Sequence, residues 1–62
     1  MKLTIAKKLH NEDEVIDKRT GESVIVLSIR HMFNTIFLKK MVVIEGIGAQ
    51  KGYGEWIHTD VK

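Results

Sequence analysis

With no cysteine in the chain, imidazoles and carboxylates are the side chains best able to do chemistry. His10, His31 and His58 together with a carboxylate have the ligand types of a zinc site. No two of them stand two or four residues apart, so the spacing assembles nothing and they read as separate surface imidazoles. Glu12, Asp13, Glu14 and Asp17 supply the charge of a calcium loop but lack its alternating ligand positions and central glycine. They read as a solvated acidic loop. His58-Thr59-Asp60 sets a hydroxyl between a base and an acid, yet three consecutive residues cannot aim at one another as a nucleophile, its base and an orienting acid must. Ser23 and Ser28 fall in an apolar run and read as packed or backbone-bonded. Gly52-Tyr53-Gly54 has glycines placed as in a phosphate loop but lacks the Lys-Ser or Lys-Thr that completes one. The residues therefore predict a non-enzyme with no metal, no cofactor and no small-molecule substrate.

What remains is recognition. Tyr53, Trp56 and Phe33 have faces on which bases can stack, with Lys51 and Arg30 available for phosphates, as in barrels that bind single strands. The competing reading of Phe33, Phe37 and Trp56 is a core role in a small domain. The basic residues come as scattered pairs, Lys7-Lys8, Lys18-Arg19 and Lys39-Lys40. Ten Lys and Arg against eight Asp and Glu leave only +2, a weak field for phosphate unless the fold gathers the pairs on one face. The first functional expectation is an interaction module that binds a protein partner or itself through an exposed strand edge and the Tyr53–Trp56 surface. The alternative is a nucleic-acid-binding accessory protein for RNA or single-stranded DNA that sets Lys18, Arg19, Lys39, Lys40 and Lys51 on phosphates. Phe33 and Phe37 are the expected anchors of any self-association.

These groups must be positioned by a single small domain, residues 1–62, since 62 residues cannot build a second core. With 44% hydrophobic and 29% charged residues the chain should fold, on a margin of roughly 3–5 kcal/mol. The longest apolar runs, Val24–Leu27 and Met41–Ile44, are far short of a membrane span, which needs about 20 residues, and Met1–Lys8 lacks the core of a signal peptide. A cytoplasmic protein without a membrane partner is expected.

Lys2–Lys7 alternates polar and apolar and predicts a first strand. His10–Glu14 reads as a loop, Val15–Asp17 as extended, and Asp17–Glu22 as a hairpin turn with Gly21 at positive φ. Ser23–Arg30 is a β-branched run suited to a central strand covered on both faces. Residues 31–41 fit two templates. The preferred one is strand, with Phe33-Asn34 at a hairpin tip and Thr35–Glu45 as one long extended segment broken near Lys39-Lys40. The alternative is an amphipathic helix at about 32–41, which would make the fold α+β. Gly46–Gly54 reads as a flexible glycine loop, Glu55–His58 as a last strand, and Thr59–Lys62 as a tight turn leading into terminal pairing. The expected core is Leu3, Ile5, Val15, Val24, Val26, Leu27, Ile29, Val42, Ile44 and Ile57.

Five short strands, a Thr20-Gly21-Glu22 hairpin and a late Trp56 suggest a small all-β barrel. Val15–Glu22 with its following apolar strand resembles the opening of Src-homology-3-like barrels and of KOW-type barrels, and Gly54–Lys62 resembles their last strand and 3₁₀ connection. The resemblance covers about half of the chain and implies a five-stranded barrel of the kind carried by small bacterial and phage proteins. It departs from proline-peptide binders, which carry paired tyrosines and a Trp-Trp doublet, and from KOW barrels, whose hairpins are richer in Lys, Arg and Gly.

Thr35–Glu45 carries more apolar surface than one face of a strand can bury, so a dimer or partner complex is expected there. At the first hairpin, Gly21→Val is expected to cost about 1 kcal/mol or more through its forbidden φ, read as a lowered urea midpoint.

Overall fold

The computed structural model describes all 62 residues. A helical turn α1 (Leu3–Ala6) precedes four strands, β1 (Glu14–Ile16), β2 (Ser23–Asn34), β3 (Lys39–Gly48) and β4 (Gly52–Ile57), and a 3₁₀ turn at His58–Asp60 closes the chain. The strands form one antiparallel meander in the order β1-β2-β3-β4, curled into a half-barrel. The chain is mostly β, as the sequence predicts, but it has four strands rather than five.

The missing strand is the first one. Leu3 and Ala6 are three residues apart, which puts both on one side of a helical turn, and Ala6 is fully buried while Ile5 is exposed. The turn packs on β3 and on the 3₁₀ segment, and with Val61 it plugs the open mouth of the half-barrel. The free edge of β1 is covered by the chain's last residues instead. Asp17 bridges to Val61, Lys18 N–H donates to the Asp60 carbonyl, and Lys62 N–H donates to the Ile16 carbonyl.

Alternation along the strands sets the core. Val24, Val26, Val42, Ile44 and Trp56 point inward with Val15 and are buried. Leu3, Leu27, Ile29 and Ile57 are only half-buried, and Ile5 lies outside the core. Ala6 and Val61 join it without having been expected, Trp56 takes the core role that was its competing reading, and Val43 is buried outside this cluster. The expectation that β2 is covered on both faces is corrected too, because Ile25 meets solvent while its neighbours Val24 and Val26 do not. A bulge between Val26 and Ser28 shifts the register of β2 against β3. The acidic loop pins it there, with Glu12 N–H donating to the Val26 carbonyl and Val26 N–H to the Asp13 carbonyl, both at 2.7 Å.

Residues 31–41 are strand, turn and strand, which excludes the helix. The turn is Thr35–Leu38 rather than Phe33-Asn34. Asn34 opens it, its side-chain carbonyl accepting the N–H groups of Ile36 and Phe37.

The glycine loop is also corrected. Gly46 and Gly48 lie in β3, paired with Gly54 and Gly52 of β4, and only residues 49–51 form the turn. These glycines occupy the inward positions of both strands, so they carry no apolar signal and mimic a loop. The space beside Gly46 is taken by Val24 and Ile25 of β2, and that beside Gly48 by Glu22 and the Trp56 ring. A Cβ on Gly48 would fall 2.0 Å from Glu22 Oε1 and 3.2 Å from the Trp56 ring.

Gly21, at φ 76°, has open space around it, so only its backbone requires glycine. Gly48 differs, and Gly48→Ala is expected to cost about 1–3 kcal/mol by displacing Glu22 and Trp56, read from the urea midpoint. An unchanged midpoint would mean that the carboxylate does not sit over Gly48.

Candidate interaction surface

Three regions hold the residues singled out by sequence, and they lie apart. The first is built on the Asp17–Glu22 turn. Asp17 is buried at 4% exposure, and its Oδ1 accepts the N–H groups of Arg19 (2.7 Å) and Thr20 (3.2 Å) while Oδ2 accepts the indole N–H of Trp56 (2.8 Å). Glu22, also buried, accepts from Thr20 Oγ1 and from Lys51 N–H, tying the first hairpin to the last. Lys51 lies over the indole, its Nζ 4.8 Å from the ring centroid. Beside this lies a cleft of about 150 Å³ lined by Asp17, Lys18, Arg19, Lys51, Glu55, Trp56 and Asp60. Its three cations face three carboxylates, so Lys18, Arg19 and Lys51 do not make a basic patch. Trp56 is a core residue here, 5% exposed, rather than a surface for stacking.

The second region is the outer face of the sheet. Arg30 ion-pairs with Glu55 and lies 3.9 Å from Glu45, whose other oxygen accepts the Tyr53 hydroxyl at 2.6 Å. That hydrogen bond, with the charge of Glu45, raises the Tyr53 phenol above its usual range. Arg30 is thereby committed within the sheet. Tyr53 and Trp56, an odd number of positions apart on one strand, project to opposite faces, so the expected Tyr53–Trp56 surface does not form.

The third region is the part of the β2–β3 hairpin that extends past β1 and β4. β1 reaches only to Ile25 on β2, and β4 reaches only to Val43 on β3. Beyond these limits the two strands run on together to the pair Asn34–Lys39. This arm exposes Met32, Phe33, Ile36, Phe37 and Leu38, with Ile36 83%, Phe37 68% and Leu38 75% exposed. Leu38, the last residue of the turn, sits at φ 52°, a left-handed backbone that costs a leucine about 1–2 kcal/mol. Below the turn, Leu3, Lys7, His31, Met32, Phe33, Lys40 and Met41 line a cleft of about 450 Å³. Lys39 and Lys40 border a second hollow of about 350 Å³ with Met41 and Ile57–Thr59.

Of the residues expected to bind, the structure brings Phe33, Phe37, Lys39 and Lys40 together on the arm. It leaves Lys18, Arg19 and Lys51 near Trp56 and keeps Arg30 with Tyr53 on the outer face. Sequence reasoning did not single out Met32, Ile36 and Leu38 as site residues. The available signal was the surplus of apolar residues in Thr35–Glu45, but strict alternation misassigned it. Val42, Val43 and Ile44 are all buried, whereas Ile36, Phe37 and Leu38 are all exposed, because the last three form a turn.

The histidines are held separately. His58 is buried with Nδ1 accepting the Val42 N–H at 3.2 Å, His10 lies by Asp13, and His31 is on the arm. No group of three His, Asp or Glu is close enough to hold a metal ion. No helix is long and apolar enough to cross a membrane. Comparison with protein-family models, with curated proteins and with solved structures finds no match.

The Trp56 indole and the two turn amides favour the ionised form of Asp17 and hold its carboxyl below the usual carboxylate range. The native state therefore binds this proton less readily than the unfolded chain, so the stabilisation is present above the ordinary value of 3.8 and is lost as pH falls from there through the native value. Asp17→Asn should lower the urea midpoint at neutral pH and remove that part of the acid transition, with Trp56 fluorescence as the readout. The same acid profile in variant and parent would show that Asp17 does not carry it.

Proposed function

We propose that this chain is a non-enzymatic interaction module, a small β domain that presents the β2–β3 arm to a protein partner or to a second copy of itself. Five large apolar side chains exposed together, at one end of a domain whose core is otherwise closed, carry the reading. An apolar surface of this kind is normally covered in the working state. Phe37 is the proposed anchor, held at the turn by the Asn34 side chain, with Phe33 beside the cleft at its base. The small-barrel resemblance of the Thr20-Gly21-Glu22 turn and the Trp56 strand is part of the same proposal. Src-homology-3-like domains, however, have five strands, whereas this sheet has four and a single bridge from Asp17 to Val61.

The nucleic-acid alternative has less support. Its cations lie in separate regions, and several face carboxylates. Lysine-directed cross-linking in cells that produce the protein tests the choice. Protein links are expected to concentrate at Lys39 and Lys40 and to disappear in Phe37→Asp, which should leave the urea midpoint within about 0.5 kcal/mol of the parent because the residue is exposed. Links concentrated at Lys18 and Lys51, or salt-sensitive binding of single-stranded RNA that Phe37→Asp leaves intact, would overturn the reading.

A further inference from the structure

The arm is an unfinished sheet. β1 pairs with β2 only through Ser23, Val24 and Ile25, and the loop at Glu12 and Asp13 occupies the backbone of Val26. From Ser28 to Asn34, the edge of β2 that faces away from β3 receives no backbone hydrogen bond. A two-stranded ribbon is marginal in water and gains independent stability with a third strand. Natural edges are usually blunted by lysine, proline or a bulge. This stretch has no proline or lysine, its bulge lies before Ser28, and its one arginine is turned to Glu45 and Glu55 on the sheet face.

We propose that the missing strand is β2 of a second copy, paired antiparallel about a two-fold axis at His31 to make a four-stranded sheet in the order β3-β2-β2-β3. This rests on the arm being the working surface and names its occupant. Using the whole free edge puts Ser28 opposite Asn34 of the second copy, and the rest of the register follows. Ile29 meets Phe33, Arg30 meets Met32, and His31 meets its own copy. An aromatic residue then lies beside a β-branched one, a favourable cross-strand pair. Centring on Arg30 instead would set two guanidinium groups opposite each other and leave part of the edge unused.

The ends of the arm fit the same register. Past Asn34, the turn of one copy reaches the Val26 bulge of the other, where Glu12 and Asp13 are hydrogen-bonded to the Val26 backbone. Lys39 and Lys40 follow that turn, and neither is ion-paired within its own chain. A basic tip therefore approaches an acidic loop, once at each end of the dimer. The apolar turn comes beside Ile25 and Leu27, of which Ile25 is exposed in the single chain. Such an isologous contact closes on itself and leaves no further edge of this kind.

The chain has no cysteine, so one introduced thiol reports the register. Directly opposed Cα atoms in an antiparallel pair are about 4.5–5.5 Å apart, within reach of a disulfide. The parent should sediment at twice its 7.1 kDa mass. His31→Cys should convert to a covalent dimer under mild oxidation, and Ile47→Cys, exposed away from the arm, should not. The circular dichroism of reduced His31→Cys should match the parent. If it does not, a mixture of Ser28→Cys and Asn34→Cys chains tests the same register. A parent that stays monomeric at the highest attainable concentration would overturn the proposal, and so would a dimer in which neither pairing cross-links. Either result leaves the arm as a site for another protein, a reading that fails separately if the lysine links fall elsewhere.

Discussion

The Asp17 carboxylate is the constraint on which the rest of this small domain depends. It accepts hydrogen bonds from two amides of its own turn and from the Trp56 indole thirty-nine residues away. A carboxylate buried this far is costly unless its lone pairs are used, and here they are. Because the acceptor lies in the first hairpin and the indole donor in the last strand, the bond fixes the two ends of the meander relative to each other. The same residue's backbone bridges to Val61, so the C-terminal residues are drawn over the β1 edge and the N-terminal turn closes above them.

Around that bond the inner face is arranged by volume. The indole and the Glu22 side chain are large for a half-barrel of four strands, and Gly48 at an inward position of β3 leaves space for both. A glycine on β3, with Glu22 from the first hairpin and Trp56 from β4 packed against it, helps to fill the interior without a fifth strand. This places the compact half of the molecule at the β1–β4 end. There the cations lie among carboxylates and the aromatic ring is inside.

The other half follows from unequal strand lengths. β1 has three residues and β4 six, while β2 and β3 have twelve and ten, so the longer pair continues after its neighbours stop. No core exists there for Met32, Phe33, Ile36, Phe37 and Leu38 to enter. The turn is ordered by the Asn34 side chain and includes a leucine in a left-handed conformation, so these apolar groups are presented on a defined framework. The functional reading and the proposed dimer both derive from this difference in length.

The local features were legible in the residues themselves. The β-branched runs of Ser23–Arg30 and Met41–Ile44 determined strands, because their side chains favour a pleated backbone. Thr20-Gly21-Glu22 determined the first turn, because only glycine takes its positive φ without strain. The excess of apolar residues between Thr35 and Glu45 pointed to the segment that now forms the arm. Tertiary structure alone decided the rest. The alternation in Lys2–Lys7 was too short to specify a strand, and packing of Leu3 and Ala6 into the open mouth made it helical. Gly46–Gly54 looked like a loop because its glycines carry no apolar signal, and the groups packed against Gly46 and Gly48, namely Val24, Ile25, Glu22 and Trp56, lie outside the segment. Trp56 had equal chemical reason to lie inside or outside, and the Asp17 acceptor drew it in. The residues expected to bind separated for a related reason. Sequence records which residues can bind, but the register of β3 against β2 and β4 determines which of them share a face, and that register is set by contacts distant in the chain.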